Sequence, residues 1–273
     1  MMDIDQMCAE ISASPKYAGL YPPLIRRICA EEHAKYKRDR ERLKAAKNRL
    51  HMSYGEFTRE GGADRRRELL DALRDGRLPL RDFSAQAMEL HASTRERMGQ
   101  LREFYAFIFG VTGSVSSILD IGCGFHPFSI PLMPPDVQDS LKSYRAYDID
   151  LGLVDLLNVF FDMTGLPASA KPLDIITETP PGLTDMALLL KLLPVIESQA
   201  KGRGAELINA LDTRFIIVTY PVRTLSGRQK GMERHYMSEF ERLMEKVPGA
   251  DIADKRVIGG ELVIVLKKAG RKV

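Results

Sequence analysis

Hydrophobic and polar positions along this chain change their period near residue 110. Upstream, apolar residues recur at helical spacing among charges. From Tyr21 to Leu50, the residues Leu24, Ile28, Ala34, Leu43, Ala46 and Leu50 stand amid Arg, Lys and Glu. This predicts one helix opened by Pro22 and Pro23, because a ring-fixed φ suits a first helical turn. A second helix is predicted over about residues 64–74, closed by an Asp75-Gly76 turn, and a long third one over 85–109, bent near Ser93-Thr94. Downstream, short β-rich runs take over: SVSSILDIG, SYRAYDID, Pro172 to Ile176, DMALLLK, RFIIVTYP and VIGGELVIVLKK. Helical patterns fill the gaps at about 151–164, 189–201 and 229–246. Strands alternating with helices predict a parallel sheet covered on both faces. The last two strands lack a helix between them, so an antiparallel edge is expected. The predicted organisation is a helical unit over residues 1–85 and an α/β domain over 86–273.

Composition narrows the class. The chain has 273 residues, 44% hydrophobic and 28% charged, which is a globular rather than a disordered composition. No apolar run approaches the ~20 residues that span a bilayer, and MMDIDQMCAE has neither the basic nor the apolar region of a secretory signal. No membrane partner is expected. Cys8, Cys29 and Cys123 are far apart and form no C-x-x-C pair, and the histidines are scattered, so neither a metal site nor a disulfide framework is expected. A cytoplasmic location fits this pattern.

Charge is uneven. Residues 26–67 hold 14 Lys/Arg against 7 Asp/Glu, whereas from residue 111 onward 19 basic residues face 20 acidic ones. The asymmetry points to a polyanionic partner reached through the N-terminal part. A solvated helix face would carry such a run equally well.

The sharpest local motif is Ile118-Leu119-Asp120-Ile121-Gly122-Cys123-Gly124, an apolar strand running into a G-x-G turn. Ligands of open α/β sheets bind at the carboxyl ends of strands, and glycines there admit close approach of the backbone. A dinucleotide site would want a small residue at position 127, where Pro127 stands instead, so a pyrophosphate on a helix N-terminus is disfavoured. The next strand ends in Tyr147-Asp148-Ile149-Asp150. An acid there can accept both ribose hydroxyls of an adenosine-containing cofactor, and Asp148 lies 24 residues after Gly124. Asp174, after the third strand, can accept from an adenine amino group. Together these residues fit S-adenosyl-L-methionine better than a nicotinamide dinucleotide. Just upstream, His91-Ala92-Ser93-Thr94-Arg95-Glu96-Arg97 offers Arg95 or Arg97 for the cofactor's methionine carboxylate, unless the cluster is an ordinary helix surface. After the fifth strand comes a basic, glycine-containing loop in which Arg223, Arg228 and Lys230 can grip phosphates and Met232 or Tyr236 can pack on a displaced base. Lys191 ends the fourth strand, at the substrate side.

These blocks resemble the aminoglycoside-resistance 16S rRNA methyltransferases that act on N7 of guanine-1405. The match rests on LYPPLIRR, HASTRER, DIGCGFHPFS, YDID, LLLKLLPVIE, the YPVRTLSGRQKGME loop and the closing IGGELVIVLKK, which occur in the family's order over nearly the whole chain. The resemblance implies a Rossmann-like class I methyltransferase sheet of seven strands with an antiparallel edge. It also implies a helical, basic N-terminal domain that docks on 16S rRNA within the 30S subunit. It points to Arg95 for the cofactor carboxylate, to Gly122, Cys123, Gly124 and Asp148 for the rest of the S-adenosyl-L-methionine, and to Asp174 beside adenine. Lys191, Arg223, Arg228 and Met232 would position the target, and Glu233 lies in a matching block. No general base is expected, because guanine N7 carries a lone pair at neutral pH, and a monomer is expected. The alternatives are a same-fold enzyme acting on an adenine or a small molecule, and a non-catalytic RNA-binding protein. The basic N-terminal part argues against a small molecule, and the intact glycine turn with Asp148 argues against loss of catalysis.

Overall fold

The computed structural model describes residues 2–52, 62–222 and 231–269. Three helices come first: α1 (Ile4–Ser12), α2 (Pro22–Lys35) and α3 (Asp39–Leu50). They close over a core of their own, built from Met7, Ile11, Leu24, Ile28, Cys29, Ala46 and Leu50. Asp3 caps α1 in a reciprocal capping box with Gln6. The single helix expected from Tyr21 to Leu50 is in fact two. Tyr36 turns extended (φ −112°, ψ 147°), and the buried Arg42 fixes the break by donating to the Tyr36 carbonyl at 2.8 Å.

Four further helices follow: α4 (Gly62–Arg74), α5 (Leu80–Glu89), α6 (Ala92–Met98) and α7 (Leu101–Thr112). The long helix expected over 85–109 is thus three segments, interrupted at Leu90-His91 and Gly99-Gln100. Leu69, Leu70, Phe83, Ala87 and Met88 of α4 and α5 belong to the core beneath the sheet.

The sheet has seven strands in the order β3-β2-β1-β4-β5-β7-β6. The parallel strands are β1 (Ser117–Ile121), β2 (Ser143–Asp148), β3 (Ala168–Pro172), β4 (Thr184–Leu190) and β5 (Thr213–Pro221). The antiparallel edge is β6 (Ala250–Ile258) with β7 (Glu261–Lys268), joined at Gly259-Gly260. The third strand ends at Pro172, the residue at which the sequence pattern predicts its start, and Leu173–Thr177 is a turn closed by the Thr177 N–H donating to the Asp174 carbonyl.

One face of the sheet is covered by α5, α7, the 3-10 segment His126–Leu132 and α9 (Leu151–Thr164). Before α9 comes the short α8 (Pro135–Ser140). The other face is covered by α10 (Leu193–Gln199), α11 (Arg203–Ala210) and α12 (Met232–Met244). The strand order changes direction at β1 and β4, which opens a crevice at their carboxyl ends.

Candidate active site

That crevice holds a cavity lined by the β1 turn, the end of β2, the turn after β3 and the start of α10. Gly122 and Gly124 adopt φ of +62° and +50°, a region L side chains rarely enter. A Cβ on Gly122 would stand 2.8 Å from Leu192 Cδ1, so the bare backbone keeps this wall open. Cys123 N–H donates to the Tyr147 carbonyl at 3.0 Å, which ties the turn to β2.

Asp148 is wrapped by backbone donors. Gly124 N–H gives to its Oδ2 at 2.9 Å, while Ile149 and Asp150 N–H give to its Oδ1 at 2.7 and 3.1 Å. Burial pushes its pKa up to about 6 against these bonds, and the nearby Asp150 charge pushes the same way. Asp174 lines the cavity beyond it, 2% exposed and bound to Arg27 of α2.

On the opposite side stand His91, Ser93, Thr94 and Arg97 of the HASTRER block. His91 stacks on Phe125 with ring centroids 5.3 Å apart and packs against Gly124. Burial, reinforced by Arg66, Lys191, Arg95 and Arg97, lowers its pKa to about 4, so it is neutral at physiological pH. Of the two arginines that the sequence offers, Arg97 lines this cavity. Arg95 lies instead on the wall of a neighbouring one with Glu96, Phe104 and Pro221. Arg97 lines that neighbouring cavity too, so of the two arginines it alone borders both. Arg97 donates from Nη2 to Glu261 Oε2 at 2.8 Å, its guanidinium lies 5.1 Å from the Phe104 ring, and its buried Nε–H has no acceptor among the described residues.

Lys191 follows β4 with φ +57°, a conformation unusual for a side chain of its size. Its N–H is held by the Thr219 carbonyl at 3.1 Å and Oγ1 at 3.0 Å. Its Nζ sits 2.6 Å from Glu96 Oε2 and 3.3 Å from Glu261 Oε1, between the two cavities. Met232 and Glu233 open α12, half-buried and exposed respectively. Tyr236 stacks on Tyr220 at 5.0 Å. Arg223, Arg228 and Lys230 lie outside the described residues.

The site therefore joins Gly122, Cys123, Gly124, Asp148, Asp174 and Lys191 around one cavity. Sequence reasoning missed His91, Thr94, Arg27, Gln199 and Glu261. The first two were visible inside the HASTRER block, Arg27 inside LYPPLIRR and Glu261 inside IGGELVIVLKK, but nothing local signals Gln199.

A parallel sheet with an antiparallel edge, a glycine turn after its first strand and an acid after its second define the Rossmann-like class I methyltransferase fold. Residues 13–265 match the model of a family described as ribosomal RNA methyltransferase (FmrO). The chain is 33% identical to a 16S rRNA (guanine(1405)-N(7))-methyltransferase of Serratia marcescens, over 98% of this chain and all of that one. It is 31% identical to one of Micromonospora echinospora over 97% of each. Among solved structures it is similar to the 16S rRNA methyltransferase RmtF in complex with S-adenosyl-L-homocysteine, with a TM-score of 0.86 and 30% identity over 98% of this chain and all of that one. It also resembles the 16S rRNA methylase RmtB, with a TM-score of 0.82 and 30% identity over 98% of this chain and 99% of that one. The chain belongs to the FmrO family of ribosomal RNA methyltransferases.

Proposed function

We propose that this protein transfers a methyl group from S-adenosyl-L-methionine to N7 of guanine-1405 in 16S rRNA of the 30S subunit, and so confers aminoglycoside resistance. We propose further that it acts as a monomer in the cytoplasm. The observation that carries the reading is the cavity at the switch point of the sheet, with two acids at one side and a buried arginine donor at the other. The residues present fit the cofactor. Asp148 accepts from the ribose hydroxyls, Asp174 from the adenine amine, and the Gly122-Cys123-Gly124 backbone lets the adenosyl part approach. Arg97 meets the methionine carboxylate, a role the resemblance had assigned to Arg95.

S-adenosyl-L-methionine, when bound, supplies an electrophilic methyl carbon on a sulfonium. Guanine N7 has a free lone pair, so the protein has no proton to remove. Its residues act by orienting the partners and excluding water. Lys191, Arg223, Arg228 and Met232 hold the target nucleotide, whose extraction from its stack costs a few kcal/mol that phosphate and stacking contacts offset. The exposed basic residues of α3 and of the link that precedes it dock the subunit. The test is incubation of purified protein with 30S subunits and labelled cofactor, followed by mapping of the methylated nucleotide. Label at guanine-1405 is expected. Label at an adenine, or on free nucleosides alone, would overturn the reading.

A further inference from the structure

Helix α2 forms part of the wall of the switch-point cavity through Leu24, and Arg27 braces two more of its lining residues. Arg27 on α2 places Nε 2.6 Å from Asp174 Oδ2 and Nη2 3.2 Å from Asp174 Oδ1. The same Nη2 donates to Gln199 Oε1 at 3.0 Å, and Nη1 to Glu31 at 3.1 Å. The pair is buried, with side chains 10% and 2% exposed. Asp174, Gln199 and Leu24, which lies one turn before Arg27, all line the cavity. The backbone adds two ties: Tyr21 N–H donates to the Ile149 carbonyl at 2.9 Å, and Leu151 N–H to the Gly19 carbonyl at 2.8 Å.

Counting lone pairs shows what remains free. A carboxylate offers about four acceptor sites. Asp174 Oδ1 takes Arg27 Nη2 and the Ile176 N–H, at 3.2 Å each, whereas Oδ2 takes Arg27 Nε. One acceptor site on Oδ2 is left. A guanidinium only donates, so Gln199 must turn its oxygen to Arg27, which leaves its amide nitrogen as a donor. Both residues bond the same nitrogen of Arg27, Asp174 through Oδ1 and Gln199 through Oε1, so Arg27 holds an acceptor carboxylate and a donor-bearing amide together among the residues that line the cavity. Adenine presents the complement, an exocyclic amine next to a ring nitrogen that accepts. A 6-oxopurine presents the inverse, a carbonyl next to a ring N–H.

We propose that Arg27 is a positioning residue that polarises Asp174 and Gln199 into an adenine-reading pair, so that the N-terminal helical unit sets the purine selectivity of the cofactor site. The proposal rests on the reading of this cavity as the S-adenosyl-L-methionine site. The experiment is titration calorimetry of the full chain with S-adenosyl-L-homocysteine and with its 6-oxo analogue, S-inosyl-L-homocysteine. The native protein should prefer the adenosyl ligand by roughly 10²-fold, as expected when a site's polar groups are left mismatched. Arg27→Met should cut that preference about tenfold or more, because Asp174 and Gln199, no longer held by the fork, can turn to suit either purine edge. A merely structural Arg27 would weaken both ligands equally and leave the ratio unchanged, which would overturn the proposal. Equal affinity of the native protein for both ligands would do the same. Arg27→Lys keeps the buried charge, guarding against misfolding, but lacks the fork, so its ratio should also fall. Failure of the native chain to bind S-adenosyl-L-homocysteine at all would instead remove the cofactor reading itself.

Discussion

Arg97 and Glu261, far apart in the chain, meet at 2.8 Å with side chains only 3% and 6% exposed. Glu261 also faces Lys191, so one carboxylate serves two cations between the switch-point cavity and its neighbour. Burial alone would raise the Glu261 pKa, but Arg97 and Lys191 outweigh it and hold the carboxyl below its usual range. A lowered folded pKa means its stabilisation is present above the usual glutamate range and is lost as pH falls below it. Glu261→Ala leaves the buried Arg97 without its carboxylate partner and Lys191 with Glu96 alone, which costs about 3–5 kcal/mol. Thermal melting should show a fall of roughly 10 °C, at about 2–4 °C per kcal/mol for a chain near this size. A melt unchanged by the substitution would mean that the pair contributes nothing.

Asp148 predicts that ligand binding, like the Glu261 contribution to stability, weakens as pH falls. Its pKa is raised to about 6 by burial, so in the free protein it takes up a proton as pH drops through that value. Ribose hydroxyls donate to the ionised form, hence binding should favour the carboxylate and lower its pKa. Affinity for S-adenosyl-L-homocysteine should weaken below about pH 6, and binding near pH 6 should release a proton. Calorimetry in two buffers of different ionisation enthalpy reads that proton directly, and Asp148→Asn should abolish it. For folding the sign reverses: the raised pKa favours the native state most below the unfolded value and less as pH rises to about 6.

Gly122→Ala tests whether the open wall is needed. The new Cβ meets Leu192 Cδ1 at 2.8 Å, and Leu192 itself lines the cavity, so relief would push that side chain into the cofactor's space. The positive φ adds about 1–2 kcal/mol of backbone cost. We expect a folded protein with a modestly lower melting point and a cofactor Kd raised about tenfold or more, the larger effect falling on binding. Native affinity would show that the adenosyl group lies elsewhere.

Four of the five parallel strands were legible because they run into marked turns, whereas β3, with Ser169 and Lys171 exposed and only Ala170 buried, has no apolar run and was expected beyond its true end. The sheet's edge was only partly legible. In β6, Asp251, Asp254, Lys255 and Arg256 are exposed, and an edge strand with one ladder neighbour needs no apolar face to be held. The break between α2 and α3 was invisible, because no glycine or proline marks it and it depends on Arg42 reaching the Tyr36 carbonyl. Around the cavity, Gly122, Gly124 and Asp148 were nameable as lining residues because strand-turn motifs are local. That Arg97 lines it and Arg95 does not depends on how α6 packs on the sheet, and the pairing of Arg27 with Asp174 depends on a contact between residues 147 apart in the chain.

Lys191 separates positioning from binding. Its left-handed backbone is tolerated by Asn, so Lys191→Asn should fold within about 1 kcal/mol of the native protein on backbone grounds. Removing its ammonium from the mouth of the cavity should slow methyl transfer on the order of 10²-fold, the scale of a misaligned reactant. The cofactor Kd should move far less than the single-turnover rate. Equal losses in both would assign Lys191 to the cofactor rather than to the target.

The basic N-terminal face can be dissected by what each charge touches. Arg42 and Arg49 are engaged within the fold: Arg42 is buried against Asp39 and the Tyr36 carbonyl, and Arg49 pairs with Glu31 and Glu32. Lys37, Arg40 and Lys44 are exposed and have no ion-pair partner among the described residues, so they can meet phosphate. Reversing these three to Glu should leave the melting point and cofactor affinity in place while raising the Kd for 30S subunits. For every phosphate no longer neutralised, the plot of log K against log salt should also flatten by about one unit of slope. If 30S affinity and its salt dependence both survive the triple reversal, docking must run through another surface, and the charge excess at this end is solvation alone.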